Sequence, residues 1–188
     1  MTLFIDACVR KGSRTRRLAE YLLGKLPGPV STVRVGELRF PPADEAFLAR
    51  RDALIEKADF SDPLFDLARQ FAAADTAVVA APYWDLSFPA ALKQCFEQIN
   101  VTGITFVYSP EGIPRSLCRA KRLYYVTTAG GPIQSAEYGF GYVRDLARGF
   151  YQIPDIRLIR AEGLDIVGAD VEGILRRAER TIDELFAG

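Results

Sequence analysis

Ten residues close to the N-terminus, Cys8-Val9-Arg10-Lys11-Gly12-Ser13-Arg14-Thr15-Arg16-Arg17, hold five basic side chains, two hydroxyls and a glycine. Free backbone N–H groups and the positive end of a helix dipole favour an anion at such a helix entrance. Ser13 and Thr15 can donate hydroxyl hydrogen bonds to it, and Arg10 or Arg14 can grip a phosphate as a fork. Basic residues in a first helical turn oppose the dipole unless an anion compensates them. The spacing is neither that of a P-loop nor Gly-x-Gly-x-x-Gly. A second segment, Ala81-Pro82-Tyr83-Trp84-Asp85-Leu86-Ser87-Phe88-Pro89, carries the only tryptophan of the chain. Its aromatic and aliphatic side chains can line a slot for a planar ring, with backbone amides bonding along one edge of that ring. A third, Thr127-Thr128-Ala129-Gly130-Gly131-Pro132, has adjacent glycines that let the main chain approach a ligand closely. Taken singly, each segment also reads as ordinary structure: a capped basic turn, a hydrophobic loop over a sheet, a simple turn. Together they describe a phosphate at one end and a flat aromatic group at the other, which suits a flavin mononucleotide.

Other chemistries are excluded by composition. The 188 residues contain no histidine, which removes Ser-His-Asp triads, Cys-His dyads and His-ligated metal sites. Cys8, Cys95 and Cys118 are odd in number and lack Cys-x-x-Cys spacing, so no metal site or disulfide framework is expected. Lys and Arg total 24 against 24 Asp and Glu, a balance that argues against a nucleic-acid partner. No apolar run approaches the length needed to span a membrane, and no secretory signal is evident, so a reducing cytoplasm is the expected location. Among arginines at a helix entrance, the Cys8 thiol is either lowered in pKa and reactive or a small residue buried beneath the loop. Cys95 and Cys118 read as structural.

The elements that must position these loops follow from periodicity. Strands are expected over residues 3–7, 30–35 (near an edge), 76–81, 123–127 and 156–161. The third of them is apolar throughout and so covered on both faces. A helix capped by Ser13 carries Leu18, Leu22 and Leu26 at four-residue spacing. Further helices are expected over 44–57, from Ser61-Asp62-Pro63 to Ala74, from Pro89 through Ile99, over 142–150 and over 171–186. Strands alternating with helices imply a parallel sheet with helices on both faces. Five strands favour an α/β, flavodoxin-like doubly wound sheet of order 2-1-3-4-5, forming a single domain over residues 1–188. In such a sheet the ligand sits beyond the carboxyl ends of the strands at the switch point, which selects the loops after strands one, three and four.

The chain resembles the flavodoxin-like NAD(P)H:quinone oxidoreductase and FMN-dependent azoreductase family. The resemblance is carried by Arg10-Lys11-Gly12-Ser13-Arg14-Thr15-Arg16-Arg17-Leu18, by the second segment continued through Ala90-Ala91-Leu92-Lys93, and by Gly103-Ile104-Thr105-Phe106-Val107-Tyr108. Thr127-Thr128-Ala129-Gly130-Gly131 and Ala161-Glu162-Gly163 complete it. It implies non-covalently bound FMN in a homodimer with active sites at the subunit interface. The family's Ser-x-Ser phosphate element falls on Ser13-Arg14-Thr15. Its isoalloxazine-lining loop falls on Pro82, Tyr83, Trp84, Asp85 and Leu86, and its pyrimidine-side loop on Thr128, Ala129, Gly130 and Gly131. Three departures stand out: a shorter first loop with Ala7-Cys8 where a serine is common, Asp85 for the usual Asn, and Thr128-Ala129 for Ser-Arg.

The expected activity is a two-step hydride shuttle, in which NADH or NADPH reduces FMN and a quinone, azo compound or similar aromatic acceptor then takes the reducing equivalents. Phe106 and Tyr138 are candidates for shaping the substrate site, with Tyr83 and Trp84. No catalytic side chain is singled out, because hydride chemistry belongs to the flavin. Two other readings share the fold: a flavodoxin-like FMN electron carrier without its own turnover, and a flavin-free partner-binding domain.

Overall fold

The computed structural model describes residues 1–187. Five parallel strands form the main sheet: β1 (Thr2–Asp6), β2 (Val30–Arg34), β3 (Thr76–Ala80), β6 (Arg122–Thr128) and β7 (Asp155–Ala161), in the order β2-β1-β3-β6-β7. This is the 2-1-3-4-5 order expected from the alternation of strands and helices. A separate antiparallel pair, β4 (Phe106–Tyr108) and β5 (Pro114–Ser116), is inserted between β3 and β6. Sequence periodicity shows this stretch only as a loop, since three-residue strands are too short to display alternation.

Side chains of a strand point alternately to the two faces, and the sheet uses both. On one face Leu3, Ile5, Ala77, Val79, Leu123 and Tyr125 meet the apolar stripes of α3 (Asp66–Ala73), α4 (Ala90–Ile99) and α5 (Tyr142–Gly149). On the other Phe4, Val78, Ala80, Tyr124 and Val126 meet Leu18 and Leu22 of α1 (Arg14–Leu23) and Leu175 and Ile182 of α6 (Val171–Leu185). Each fully buried Leu, Ile or Phe contributes roughly 1.5–3 kcal/mol from its removal from water. α2 (Glu45–Glu56) buries no residue fully and rides on a smaller cluster around Phe65 and Val101.

One helix start differs from the sequence pattern, and another is preceded by a turn it does not show. The helix expected from Ser61 begins as a 3-10 turn at Pro63–Phe65, where Asp62 accepts from the Leu64 amide at 2.9 Å, and becomes α3 only at Asp66. α5 is entered through a π turn over Glu137–Gly141, closed by the Gly141 amide on the Ala136 carbonyl at 2.7 Å. Among the described residues no helix is long and apolar enough to cross a membrane.

Register sets the site. Asp6 of β1 lies beside Ala80 of β3, and Ala80 beside Val126 of β6. The carboxyl ends of these strands therefore open at one level, and the loops that follow them share one edge of the molecule.

Candidate functional site

A cleft of about 190 Å³ lies at that edge, lined by Cys8, Val9, Arg10, Gly12, Ser13, Arg14 and Thr15 from the first loop and by Pro82, Tyr83 and Trp84 from the second. Thr128, Ala129 and Gly130 from the third loop and Asp165 from the turn after β7 complete it. The arginine-rich turn and the Tyr83-Trp84 segment thus face one crevice, as the switch-point argument requires.

The first loop is built to leave donors exposed. Ser13 caps α1, its Oγ accepting from the Arg16 amide at 3.2 Å, which leaves its O–H proton for a ligand. The amides of Gly12, Arg14 and Thr15 find no hydrogen-bonding acceptor among the described residues. The five basic side chains of this stretch divide sharply. Arg14 donates to the Asp165 carboxylate at 2.6 Å and the Leu164 carbonyl at 2.8 Å. Arg16 turns inward to Asp6 at 2.6 Å, and Arg17 forks onto Glu172 of α6 at 2.8 and 2.9 Å. Arg10 and Lys11 are exposed and enter no ion pair among the described residues. Of the two arginines that sequence offers as a phosphate fork, Arg10 is therefore the unengaged one, while Arg14 clasps the β7 turn. Thr15 is buried, and its hydroxyl lies 2.6 Å from that of Thr128. That pair needs only one of its two protons, so the other remains available toward the cleft.

In the second loop, Asp85 and Leu86 both adopt positive φ, 48° and 69°. They form the tip of a tight turn closed by Trp84 and Ser87, whose amides and carbonyls bond reciprocally at 3.1 and 2.8 Å. Left-handed backbone at a branched residue such as Leu86 costs on the order of 1 kcal/mol. The turn aims the tip outward: Pro82, Tyr83 and Trp84 line the cleft, whereas Asp85 and Leu86 do not. Tyr83 is held by its amide on the Thr128 carbonyl at 2.9 Å and by its hydroxyl donating to the Ser135 carbonyl at 3.3 Å.

The third loop is laddered to the turn after β7. The Leu164 and Asp165 amides bond to the Ala129 and Gly130 carbonyls at 3.2 and 2.9 Å. A Cβ on Gly130 would come within 2.3 Å of the Asp165 carboxylate, so a larger residue here would displace that exposed side chain from Arg14. Gly131 lies outside the lining residues. Asp165 was missed by sequence reasoning because the switch-point rule directs attention to the loops after strands one, three and four; the Ala161-Glu162-Gly163 segment that precedes it was the only signal.

Neither of the two substrate-site candidates is among the residues lining the cleft. Phe106 is buried in the β4–β5 hairpin, edge-on to Phe150 at 4.8 Å and to Tyr108 at 5.3 Å. The pull of that apolar contact, unseen while the stretch read as a loop, removes it from this cleft. Tyr138 stands 61% exposed on the π turn, which its carbonyl ties to the second loop by accepting from Ser87 Oγ at 2.5 Å.

Cys8 is 5% exposed beneath the first loop, and burial pushes its thiol up to about 12. Of the two readings of Cys8, the structure supports the small residue buried beneath the loop: desolvation outweighs the neighbouring guanidinium. In the folded protein near pH 8, iodoacetamide is expected to leave Cys8 unmodified over times that fully alkylate it in denaturant, and mass spectrometry of the peptides checks this.

A parallel sheet of this order with a cleft at its switch point, walled by helix-start amides and an aromatic loop, defines the flavodoxin class. A family model described as flavodoxin-like fold matches residues 1–186. The chain belongs to that family. It is 49% identical over 114 residues to a protein of Clostridium acetobutylicum named FMN-dependent NADH:quinone oxidoreductase 2, an alignment covering 58% of this chain and 56% of that protein. The chain thus spans just over half the length of this relative. An FMN-dependent NADH:quinone oxidoreductase of Coprothermobacter proteolyticus is 32% identical over 182 residues, covering 92% of this chain and 90% of the relative. The crystal structure of an azoreductase from Bacillus anthracis superposes with a TM-score of 0.83 at 22% identity, over 98% of this chain and 97% of that one.

Proposed function

We propose that this protein is an FMN-dependent oxidoreductase that passes reducing equivalents from NADH or NADPH to a quinone, an azo compound or a similar aromatic acceptor. The observation that carries this is the meeting of unpaired helix-start amides with an aromatic wall in one cleft. The residues fit FMN: Gly12, Arg14 and Thr15 offer amides, Ser13 a hydroxyl and Arg10 a free guanidinium to the phosphate, and Pro82, Tyr83, Trp84, Ala129 and Gly130 offer flat and narrow surfaces to the ring. The names of two relatives, one aligned over nearly its whole length, support the cofactor and the donor. FMN when bound supplies hydride acceptance and delivery; the chain's part is to hold the tail, fix the ring plane and keep water from one face. Without histidine, a product proton comes from water or a tyrosine hydroxyl.

A second copy of the chain is part of this proposal. The cleft's volume of about 190 Å³ lies below the ~300 Å³ at which enclosed ligand sites begin, so a ring laid there keeps surface outside the chain. Trp84, Leu86 and Tyr138 are exposed around it, an apolar rim suited to burial against a partner. Cytoplasmic residence is part of it too, supported by three cysteines that are all free.

Purified protein is expected to be yellow, to bleach on anaerobic addition of NADH or NADPH, and to turn over either donor with menadione. Bleaching without turnover makes it a carrier; failure to take up FMN removes the proposal. Replacing Arg10 and Ser13 together by Ala is expected to weaken FMN binding by roughly 10- to 100-fold, since it deletes a charged and a hydroxyl donor. Fluorescence titration measures it, and unchanged affinity assigns the phosphate elsewhere.

A further inference from the structure

Asp6 closes the interior strand β1 and is 2% exposed. A carboxylate so buried must be both paired and hydrogen-bonded. Its Oδ1 accepts from the Cys8 amide at 2.9 Å and its Oδ2 from Arg16 Nε at 2.6 Å. The same guanidinium donates onward to the Arg10 carbonyl at 3.0 Å and to the Cys8 carbonyl. One side chain thus gathers a carboxylate and two carbonyls of a single loop.

Those carbonyls are the acceptors that the loop's own amides would otherwise use. The Arg10 carbonyl stands four residues before Arg14, where the Arg14 amide would bond if α1 continued backward by one step. Instead the carbonyl is held by Arg16, α1 starts at Arg14, and the Gly12, Arg14 and Thr15 amides remain without acceptors among the described residues. Arg16 itself, 77% of its side chain covered, is spent on this internal work and does not line the cleft.

We infer that Asp6 and Arg16 are a positioning pair that sets the phosphate affinity of the site, Arg16 acting on the loop carbonyls and never on the anion. This rests on the reading that the cleft takes FMN. Arg16 does not grip the phosphate itself; it holds the Cys8 and Arg10 carbonyls, the acceptors that the Gly12 and Arg14 amides would otherwise use. The distinction matters because Arg16→Lys retains a cation for Asp6 but loses the planar fork that reaches two further carbonyls.

The test compares FMN with riboflavin, which lacks the phosphate. The full chain is titrated with each flavin by fluorescence quenching, and its melting temperature is recorded. In Arg16→Lys the ratio of FMN to riboflavin affinity is expected to fall about tenfold, with riboflavin affinity and melting temperature close to the parent protein's. A plain ion pair predicts rescue by Lys, so an unchanged ratio overturns the inference. Should Arg16→Lys fail to fold, Asp6→Asn, which keeps an acceptor for the Cys8 amide, must lower the ratio in the same direction; an unchanged ratio there overturns it equally. A parent protein that does not prefer FMN over riboflavin removes the phosphate site, and the function proposed for it, along with the pair's role.

Discussion

Gly12→Asp is expected to weaken FMN binding by at least about 100-fold while leaving riboflavin binding within about threefold of the parent. The position is suited to this because nothing lies within 4 Å of a Cβ built on Gly12, and its backbone is outside the left-handed region. A side chain therefore enters without strain, and only its charge speaks. A carboxylate about 5 Å from a phosphate, at an effective dielectric of about 20, opposes it by roughly 3 kcal/mol for each phosphate charge. Part of that is lost to solvent and counterions, and 100-fold corresponds to ~2.7 kcal/mol. Gly12→Ala is the control and should bind FMN as the parent does. Equal affinity in the Asp variant places the phosphate away from the first loop, and with it the assignment of Ser13 and Thr15.

Most of the fold was legible because its signals are local. Leu18 and Leu22 recur on one side of α1, the unbroken apolar run at residues 76–81 demands cover on both faces, and Ser13 and Asp44 sit where helices need caps. The hairpin at Phe106–Tyr108 and Pro114–Ser116 was not, because three residues per strand show no period and its partners, Phe150 and the Cys118 segment, are set by tertiary packing. The π turn before α5 has no sequence period of its own either. It is fixed by Ser87, which reaches it from the second loop, together with Ser135 just before it.

The site was legible in its loops and not in its pairings. The loops singled out by composition bring Ser13, Tyr83, Trp84 and Gly130 to one crevice. What it could not show is which basic residues are already neutralised. Arg14 pairs with a residue 151 positions away and Arg17 with one 155 away, and no local pattern encodes such a distance. The same holds for Asp85: a motif position implies a carboxylate beside the ring, but two successive left-handed residues turn it out of the cleft. The charge facing a ligand is thus far smaller than the five cations in the sequence suggest.

Stability is expected to fall steeply in alkali, and the unused thiols are the cause. Burial pushes Cys8, Cys95 and Cys118 each to about 12 from an ordinary value of 9.0, and burial holds the Tyr125 and Tyr151 phenols well above theirs. The folded protein keeps these protons where the unfolded chain releases them. With the native pKa raised, the contribution is complete below about pH 9 and drains away as pH rises toward about pH 12. Each group contributes a slope of about 1.4 kcal/mol per pH unit in that window, so three thiols alone give roughly 4. Against a total stability of about 5–15 kcal/mol, cooperative unfolding is expected between about pH 10 and pH 11.5, under reducing conditions. Urea unfolding at half-unit steps from about pH 8 upward measures the slope. Cys95→Ala isolates one contribution: the thiol is completely buried, with burial as the sole cause of its shift. That variant should be about 1 kcal/mol less stable near neutrality, from the atom removed, yet lose about one third less of its stability per unit between about pH 9 and pH 10. A stability profile flat to about pH 11 would mean that the thiols ionise in place, and that the core around α4 admits water which its packing here excludes.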